Sequence, residues 1–277
     1  SYCKINLSLR VLKKLKSGLH DIQSHVLLLN LYDVIKVKEI KENSDVIVFT
    51  GKFKKFINKK KNSISVAIKL LRENNLIDLN KHYKILVKKN IPIFAGLGGG
   101  TSNAAFIIKY FIKKKFNTQI IKKFEPKVGS DLGLFINKQT YLKKLNSFIK
   151  YKMHLDYHFV LVYPGIKCAT HQIYSSVKKY QKPSKIKFTK IFSKINFIKL
   201  IKNNESNDLQ EIVVSKYKVI KKILNFISLQ KECYFSRITG SGSVCYGIFK
   251  SQKSAKSGLK AIKKKFPKYW CVVAKTI

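Results

Sequence analysis

Four glycines set between an alternating strand pattern and an apolar-periodic helix constrain this chain more than any other feature of its sequence. The stretch Pro92-Ile-Phe-Ala-Gly-Leu-Gly-Gly-Gly-Thr-Ser-Asn-Ala-Ala105 carries glycine at positions 96, 98, 99 and 100. Upstream, Tyr83, Ile85 and Val87 alternate as one face of a strand, and downstream Ala104, Ala105, Ile108, Phe111 and Ile112 recur as the buried side of a helix. Without Cβ atoms the loop lets backbone N–H groups converge on a bulky anion, and the helix aims its positive end at the same place. The expectation is a phosphate cradle. It is neither of two familiar ones: Gly100 is followed by Thr101 and Ser102 with no lysine, as a P-loop requires, and counting from Gly96 and Gly98 the third small residue of a dinucleotide fingerprint falls on Thr101. A flexible linker is the bland alternative, but linkers are not normally bracketed by a strand, a proline and a helix start.

A length of 277 residues suggests two domains at the usual size of about 100–200 residues each. No window offers the ~18 uninterrupted apolar residues of a membrane-spanning helix, so a soluble protein is expected; no secretory signal opens the sequence, and with Ser1 in place of an initiator methionine a removed segment stays open beside the expected cytoplasmic location. The cysteines at 3, 168, 233, 245 and 271 are scattered, with no Cys-x-x-Cys pair, and read as reduced thiols. The histidines at 20, 25, 82, 154, 158 and 171 give no plausible ligand set, and no protein-held metal is expected.

Net charge of +43 would ordinarily suggest a nucleic-acid binder. Only three arginines are present (Arg10, Arg72, Arg237), however, so lysine supplies 54 of the positive charges, spread over the whole length. Nucleic-acid surfaces favour arginine for its fork geometry and stacking. The charge therefore reads as compositional drift on a solvated surface, with no specific nucleic-acid partner and only salt-sensitive polyanion binding.

Residues 2–12 and 31–40 read as strands around a turn at Lys16-Ser-Gly-Leu-His20. A lysine-rich loop at 52–62 leads to a helix through Ser65, Ile68, Leu71 and Arg72, and Gly129-Ser-Asp-Leu-Gly133 breaks a later helical region. Tyr157–Tyr163 is a buried strand closed by Pro164-Gly165, followed by helices near 189–203, 207–217 and 218–229. Thr239-Gly-Ser-Gly-Ser243 leads into a strand ending at Phe249, and a helix (254–265) and strand (269–275) close the chain. Strands and helices mix without βαβ regularity, so the class is α+β in two domains, 1–152 and 153–277.

Three motifs stand in a fixed order: Lys4-Ile-Asn-Leu7, Gly96-Leu-Gly-Gly-Gly-Thr-Ser-Asn-Ala-Ala105 and Thr239-Gly-Ser-Gly-Ser243. Together they resemble the GHMP kinase superfamily over essentially the full length. The long glycine run, the Gly18-Leu-His20 turn and the Gly129-Ser-Asp131 break look most like its members that phosphorylate the 2-hydroxyl of a cytidine-diphosphate-linked methylerythritol in non-mevalonate isoprenoid synthesis. The resemblance implies a ribosomal-protein-like N-terminal domain that binds ATP and carries catalysis, a ferredoxin-like C-terminal domain, and an active site in the cleft between them. It implies ATP as co-substrate with Mg²⁺, a small-molecule acceptor, no membrane partner, and a monomer or weak homodimer.

Residue by residue, the resemblance maps the catalytic pair onto Lys4 and Asp131. Phosphoryl transfer is mostly positioning and charge stabilisation, and a carboxylate near the acceptor hydroxyl can take its proton while an ammonium orients both. The nucleotide loop maps onto Pro92, Ile93, Phe94, Ala95, Gly96, Leu97, Gly98, Gly99, Gly100, Thr101 and Ser102, with Asn62 and Lys89 near the adenosine. Asn6, His20, Thr170 and Tyr174 fall where the family contacts the cytidine diphosphate half, Tyr174 stacking on the pyrimidine. The chain departs from the pattern in places. Tyr2-Cys3 stands where Pro-Ala is usual and Phe94 where glycine or alanine is common; Gly133 replaces a proline, and the Gly-x-Gly-Glu turn is missing at Thr140–Leu145. Leu19 stands in place of a tyrosine before His20, which leaves one face of the base without an aromatic partner. Two rivals remain: another small-molecule kinase of the superfamily, of homoserine or mevalonate type, and a basic RNA-binding protein on the same N-terminal fold.

Overall fold

The computed structural model describes residues 1–55, 57–58, 61–113, 117–186 and 193–277. In chain order the strands are β1 (Tyr2–Asn6), β2 (Arg10–Lys14), β3 (His20–Tyr32), β4 (Val34–Ile40), β5 (Val46–Thr50), β6 (His82–Lys88), β7 (Gln139–Lys144), β8 (Ser147–Lys150), β9 (His158–Tyr163), β10 (Cys233–Ile238), β11 (Cys245–Phe249) and β12 (Trp270–Lys275). The helices are α1 (Ser63–Glu73), α2 (Gly99–Ile112), α3 (Thr118–Val128), α4 (Thr170–Ser175), α5 (Lys194–Asn204), α6 (Gln210–Lys216), α7 (Lys218–Ser228) and α8 (Gln252–Lys265). They form two compact units interleaved along the sequence: Ser1–Cys3, Leu31–Ile93 and Gly98–Asn137 make one, and Lys4–Asn30, Phe94–Leu97 and Lys138–Ile277 the other.

In the first unit β6 lies between β4, antiparallel to it, and β5, parallel to it. Tyr83, Ile85 and Val87 are buried while Lys84, Leu86 and Lys88 between them are exposed, as the sequence alternation required. Helix α1 starts at a capping box in which the Asn62 side chain accepts from the N–H groups of Ile64 and Ser65 and the Ser65 hydroxyl accepts from the Asn62 N–H. Helix α2 buries Ala104, Ala105, Ile108 and Ile112, while Phe111 stays half-buried, edge-on to Tyr83. Helix α3 stops at Gly129, where φ is +138°, and a 3-10 turn follows over Leu132–Phe135.

In the second unit β1, β3, β7 and β8 lie in that order, with β2 also paired to β3. A separate sheet runs β10-β11-β9-β12, every neighbour antiparallel. Its second and fourth strands in chain order follow α7 and α8, which is the ferredoxin-like arrangement the resemblance implied. Its core joins Val160 and Val162 of β9 to Ile220, Ile223 and Ile227 of α7, Phe249 of β11 and Ile262 of α8. Buried Arg237 donates to the carbonyls of Ile201, Lys202 and Glu205, closing the C-terminal end of α5.

Several expected boundaries move. The strand expected over 2–12 is two strands, because Leu9 turns its backbone to another segment: its N–H donates to Ser206 and its carbonyl accepts from Asp208. The strand expected over 31–40 breaks at buried Asp33, whose carboxylate accepts from the N–H groups of Asn90 and Ile91. Strand β5 and the β7–β8 hairpin were not legible in the sequence. Of the helix expected near 189–203, residues 189–192 lie outside the described residues, as do residues 56, 59 and 60 of the lysine-rich loop. Among the described residues all five cysteines are free thiols, and no helix is long and apolar enough to cross a membrane.

Candidate active site

In the second unit, the first and third motifs and the leading half of the glycine loop meet. Lys4 is buried to 4% exposure on β1, and its ammonium donates to Asn6 Oδ1 at 2.5 Å. Asn6 is fixed in turn, its Nδ2 donating to Ser24 at 2.8 Å and its backbone N–H to Thr239 Oγ1 at 3.0 Å. Thr239 also donates to the carbonyl of Gly96 at 3.2 Å, and Val244 N–H reaches the carbonyl of Ala95. Gly96, at φ +77°, has to be glycine: a Cβ there would lie 2.0 Å from the carbonyl oxygen of Thr239. A Cβ on Gly240 would lie 3.3 Å from the Lys4 ammonium. Thr239-Gly-Ser-Gly-Ser243, recognised in the sequence but given no residue roles, is thus the hub that seats Lys4, Asn6 and the glycine loop. Phe94 occupies φ +52° and is exposed, a left-handed conformation that costs a side-chain-bearing residue about 1–2 kcal/mol.

In the first unit, Gly98 is the left-handed N-cap of α2 (φ +67°) and provides no side-chain cap. The first-turn N–H groups of such a helix are available to an anion. Ser63, next to Asn62, donates to the carbonyl of Gly100 at 2.7 Å, which ties the start of α1 to the glycine run. Gly129 packs against the same helix, since a Cβ there would come within 3.1 Å of Thr101 Oγ1, and Asp131 follows two residues on as the N-cap of the 3-10 turn. Ser102 is buried, with its hydroxyl on the carbonyl of Tyr2.

Lys89, expected near the adenosine, is enclosed. It is 1% exposed, and its ammonium is held by the Asp33 carboxylate and by Asn103 Oδ1 of α2 at 2.8 Å. Asn103 Nδ2 donates back to Asp33 at 3.0 Å, closing a three-membered network. Burial lowers the Lys89 pKa and Asp33 works against that shift. Lys89 therefore steadies the helix that follows the glycine loop.

The residues expected at the cytidine diphosphate half gather in the second unit. The rings of His20 and Tyr174 lie 5.1 Å apart, tilted by 32°. Thr170 shares a hydrogen bond of 3.1 Å with Ser241 of the third motif, and Cys168 N–H reaches the carbonyl of Phe94, so this segment is tied to the glycine loop. Burial, then Lys14, holds the His20 imidazole below its ordinary pKa. Sequence reading missed Tyr180, whose ring lies 6.2 Å from that of His20. It missed Ser24 and Ser63 too, neither of which sits in a recognisable motif.

The matches to known proteins agree with this geometry. Residues 62–126 match the GHMP kinases N terminal domain and residues 192–268 the GHMP kinases C terminal domain. Folds of similar shape include a crystal structure of 4-(cytidine 5'-diphospho)-2C-methyl-D-erythritol kinase (TM-score 0.73, 18% identity, 100% of this chain and 98% of the other) and the Methanococcus jannaschii mevalonate kinase (TM-score 0.67, 18% identity, 100% and 97%). Fold and motifs together define a GHMP kinase. Among curated proteins, a 4-diphosphocytidyl-2-C-methyl-D-erythritol kinase of Pelagibacter ubique (strain HTCC1062) is 36% identical, covering 100% of this chain and 98% of its own length. One from Buchnera aphidicola subsp. Schizaphis graminum is 34% identical over 92% and 85%. The chain belongs to the 4-diphosphocytidyl-2-C-methyl-D-erythritol kinase family.

Proposed function

We propose that the chain transfers the γ-phosphoryl group of ATP to the 2-hydroxyl of 4-diphosphocytidyl-2-C-methyl-D-erythritol, a step of the non-mevalonate isoprenoid pathway. The hydroxyl oxygen attacks the γ-phosphorus, its proton passes to Asp131, and the bond to the β-phosphate oxygen breaks to release ADP. Lys4 orients the base and the acceptor by its charge. The observation that carries this reading is the state of Lys4. Burying an ammonium is costly, and a chain with 54 lysines has every opportunity to leave this one in water; instead Asn6, Ser24, Thr239 and Gly240 are arranged around it. The RNA-binding rival gives no reason for that arrangement.

The nucleotide would lie along Pro92–Ser102, its phosphates at the N-terminus of α2, with Asn62 beside the adenosine. Residues 1–152 would supply ATP binding and catalysis, and residues 153–277 the third motif and Tyr174. Among the described residues no group of three or more His, Cys, Asp or Glu side chains is placed to hold a metal. Magnesium ordinarily keeps several waters and rides on substrate phosphates with one or two carboxylates, so Mg²⁺ would arrive with ATP and neutralise its triphosphate. The His20 imidazole beside the Tyr174 ring supports a pyrimidine-bearing acceptor over homoserine or mevalonate. We place the enzyme in the cytoplasm as a monomer or weak homodimer.

The test is ATP consumption with this acceptor against homoserine and mevalonate, in the parent chain and in Asp131→Asn. Asparagine keeps the size of the side chain but cannot accept the proton. The variant should lose roughly 10²–10⁴-fold in kcat with the KM for ATP nearly unchanged. A folded Asp131→Asn chain that keeps more than about a tenth of the activity refutes the assignment.

A further inference from the structure

Tyr180 is 46% exposed in a segment that is neither helix nor strand, yet its ring sits beside His20 at 6.2 Å and 37°. Its backbone surroundings are tied down at three points. Gln181 N–H donates to the carbonyl of Val11 at 2.8 Å, the Arg10 guanidinium donates to the carbonyl of Lys182 at 3.2 Å, and Ser184 N–H donates to Gln23 Oε1 at 2.8 Å. An irregular segment held this way against β2 and β3 has lost most of its freedom before any ligand arrives, and its aromatic ring is presented to solvent at a fixed place. His20 therefore has two tyrosine rings within the 4.5–7 Å range of aromatic contact, Tyr174 half-buried and Tyr180 largely open.

We infer that Tyr180 is an affinity-giving wall of the acceptor site, stacking its exposed face on the pyrimidine base of a cytidine diphosphate group beside His20 and Tyr174. The inference rests on the proposed function and adds to it a residue that no sequence motif marks. A base presents a π-face whatever its identity, so two tyrosines supply affinity and the imidazole between the donor and acceptor roles of its two nitrogens supplies choice. Leu19, exposed at 42% and adjacent to His20, offers that face no ring, and Tyr180 takes up the role from 161 residues further along the chain.

The experiment titrates cytidine 5'-diphosphate and, separately, ADP into the full chain and into Tyr180→Ala, Tyr180→Phe and the double variant Tyr180→Ala/Leu19→Tyr by isothermal calorimetry, with thermal midpoints alongside. Tyr180→Ala should bind cytidine diphosphate roughly tenfold more weakly, about 1.4 kcal/mol, and ADP as the parent does. Tyr180→Phe should bind within about twofold of the parent, and Leu19→Tyr should recover most of the loss, since what stacking needs is a ring and not a hydroxyl. In the kinase assay the KM for the acceptor should rise with kcat little changed. Parent-like binding of cytidine diphosphate by Tyr180→Ala overturns the inference and leaves the proposed function standing. A parent chain that binds ADP but not cytidine diphosphate overturns both. An equal loss of both ligands with a lowered midpoint would make Tyr180 a structural residue, and that also overturns it.

Discussion

His20 and His25 lie five residues apart on β3 and end in opposite surroundings. His25 is buried, stacked on Tyr141 at 4.6 Å and 21°, edge-on to Phe197, and hydrogen-bonded through Nδ1 to the Tyr151 hydroxyl. His20 has tyrosines as well, but it is half-buried and its rings are tilted, with Tyr180 exposed. The two clusters use the same residue types, so composition cannot tell a core from a site; enclosure does. The lysines repeat the lesson. Among the described residues only Lys4 and Lys89 are buried, one in each unit. Lys89 is held by the Asp33 carboxylate and steadies α2, and the Lys4 ammonium donates to Asn6 Oδ1 beside the third motif.

The largest expected effects test the lysine comparison. Lys4→Met should cost roughly 10²–10⁴ in kcat, comparable to Asp131→Asn. The Lys4→Met/Asp131→Asn chain should fall little below the worse single variant, since groups acting as a unit are non-additive. Lys89→Met should behave the other way. It strands the Asp33 carboxylate in the interior, a defect worth about 3–5 kcal/mol, so chemical denaturation should show the loss, while the fraction that stays folded keeps its kcat. A folded Lys89→Met chain that loses kcat as Lys4→Met does would erase the distinction.

The glycine loop sharpens the same contrast on a smaller scale. Gly96→Ala drives a methyl into the Thr239 backbone and should destabilise the fold. A Cβ at Gly100 meets only the Ser63 hydroxyl at 3.6 Å, an ordinary contact, so Gly100→Val should fold. If the N–H groups of this turn face phosphate, its side chain should weaken ATP binding by tenfold or more, about 1.4 kcal/mol. Calorimetry that finds unchanged ATP affinity in folded Gly100→Val would remove the loop from the nucleotide site.

The sequence disclosed those parts of the fold and site whose cause is local. The alternation of Tyr83, Ile85 and Val87, the apolar spacing of α1 and α2 and the break at Gly129 all follow from neighbours along the chain. The β7–β8 hairpin did not show, because only Gln139–Leu142 of it is buried and no glycine marks its turn at Asn146, which itself takes φ +62°. The fate of Lys89 depends on Asp33, 56 residues away, and that of His20 on Tyr180, so neither could be read from spacing. Burial decided both, and burial is a property of the folded chain.

The smallest expected effect separates the two histidines by pH. Burial, then Arg10 and Arg237, holds the His25 pKa well below its ordinary value, whereas the unfolded chain binds that proton near pH 6.5. Below about pH 6.5 the unfolded state therefore carries a proton the native state refuses, and stability falls by up to about 1.4 kcal/mol per pH unit until the native pKa is reached. Above about pH 7.5 the group contributes no slope. His20 is shifted in the same direction, by burial and Lys14, but is only half-buried where His25 is fully enclosed, so its share is shallower. Asp45, lowered by Arg72 and the Tyr83 N–H despite the opposing effect of burial, loses its contribution as pH falls through its native pKa, below the ordinary carboxylate range, and stays out of this window. Urea denaturation from pH 5 to 8 should thus give a steep acid limb in the parent chain, a flattened one in His25→Gln, and a nearly unchanged one in His20→Gln. Should His20→Gln flatten the limb and His25→Gln leave it, the enclosed histidine is the one at the acceptor site, and the comparison between the two clusters is reversed.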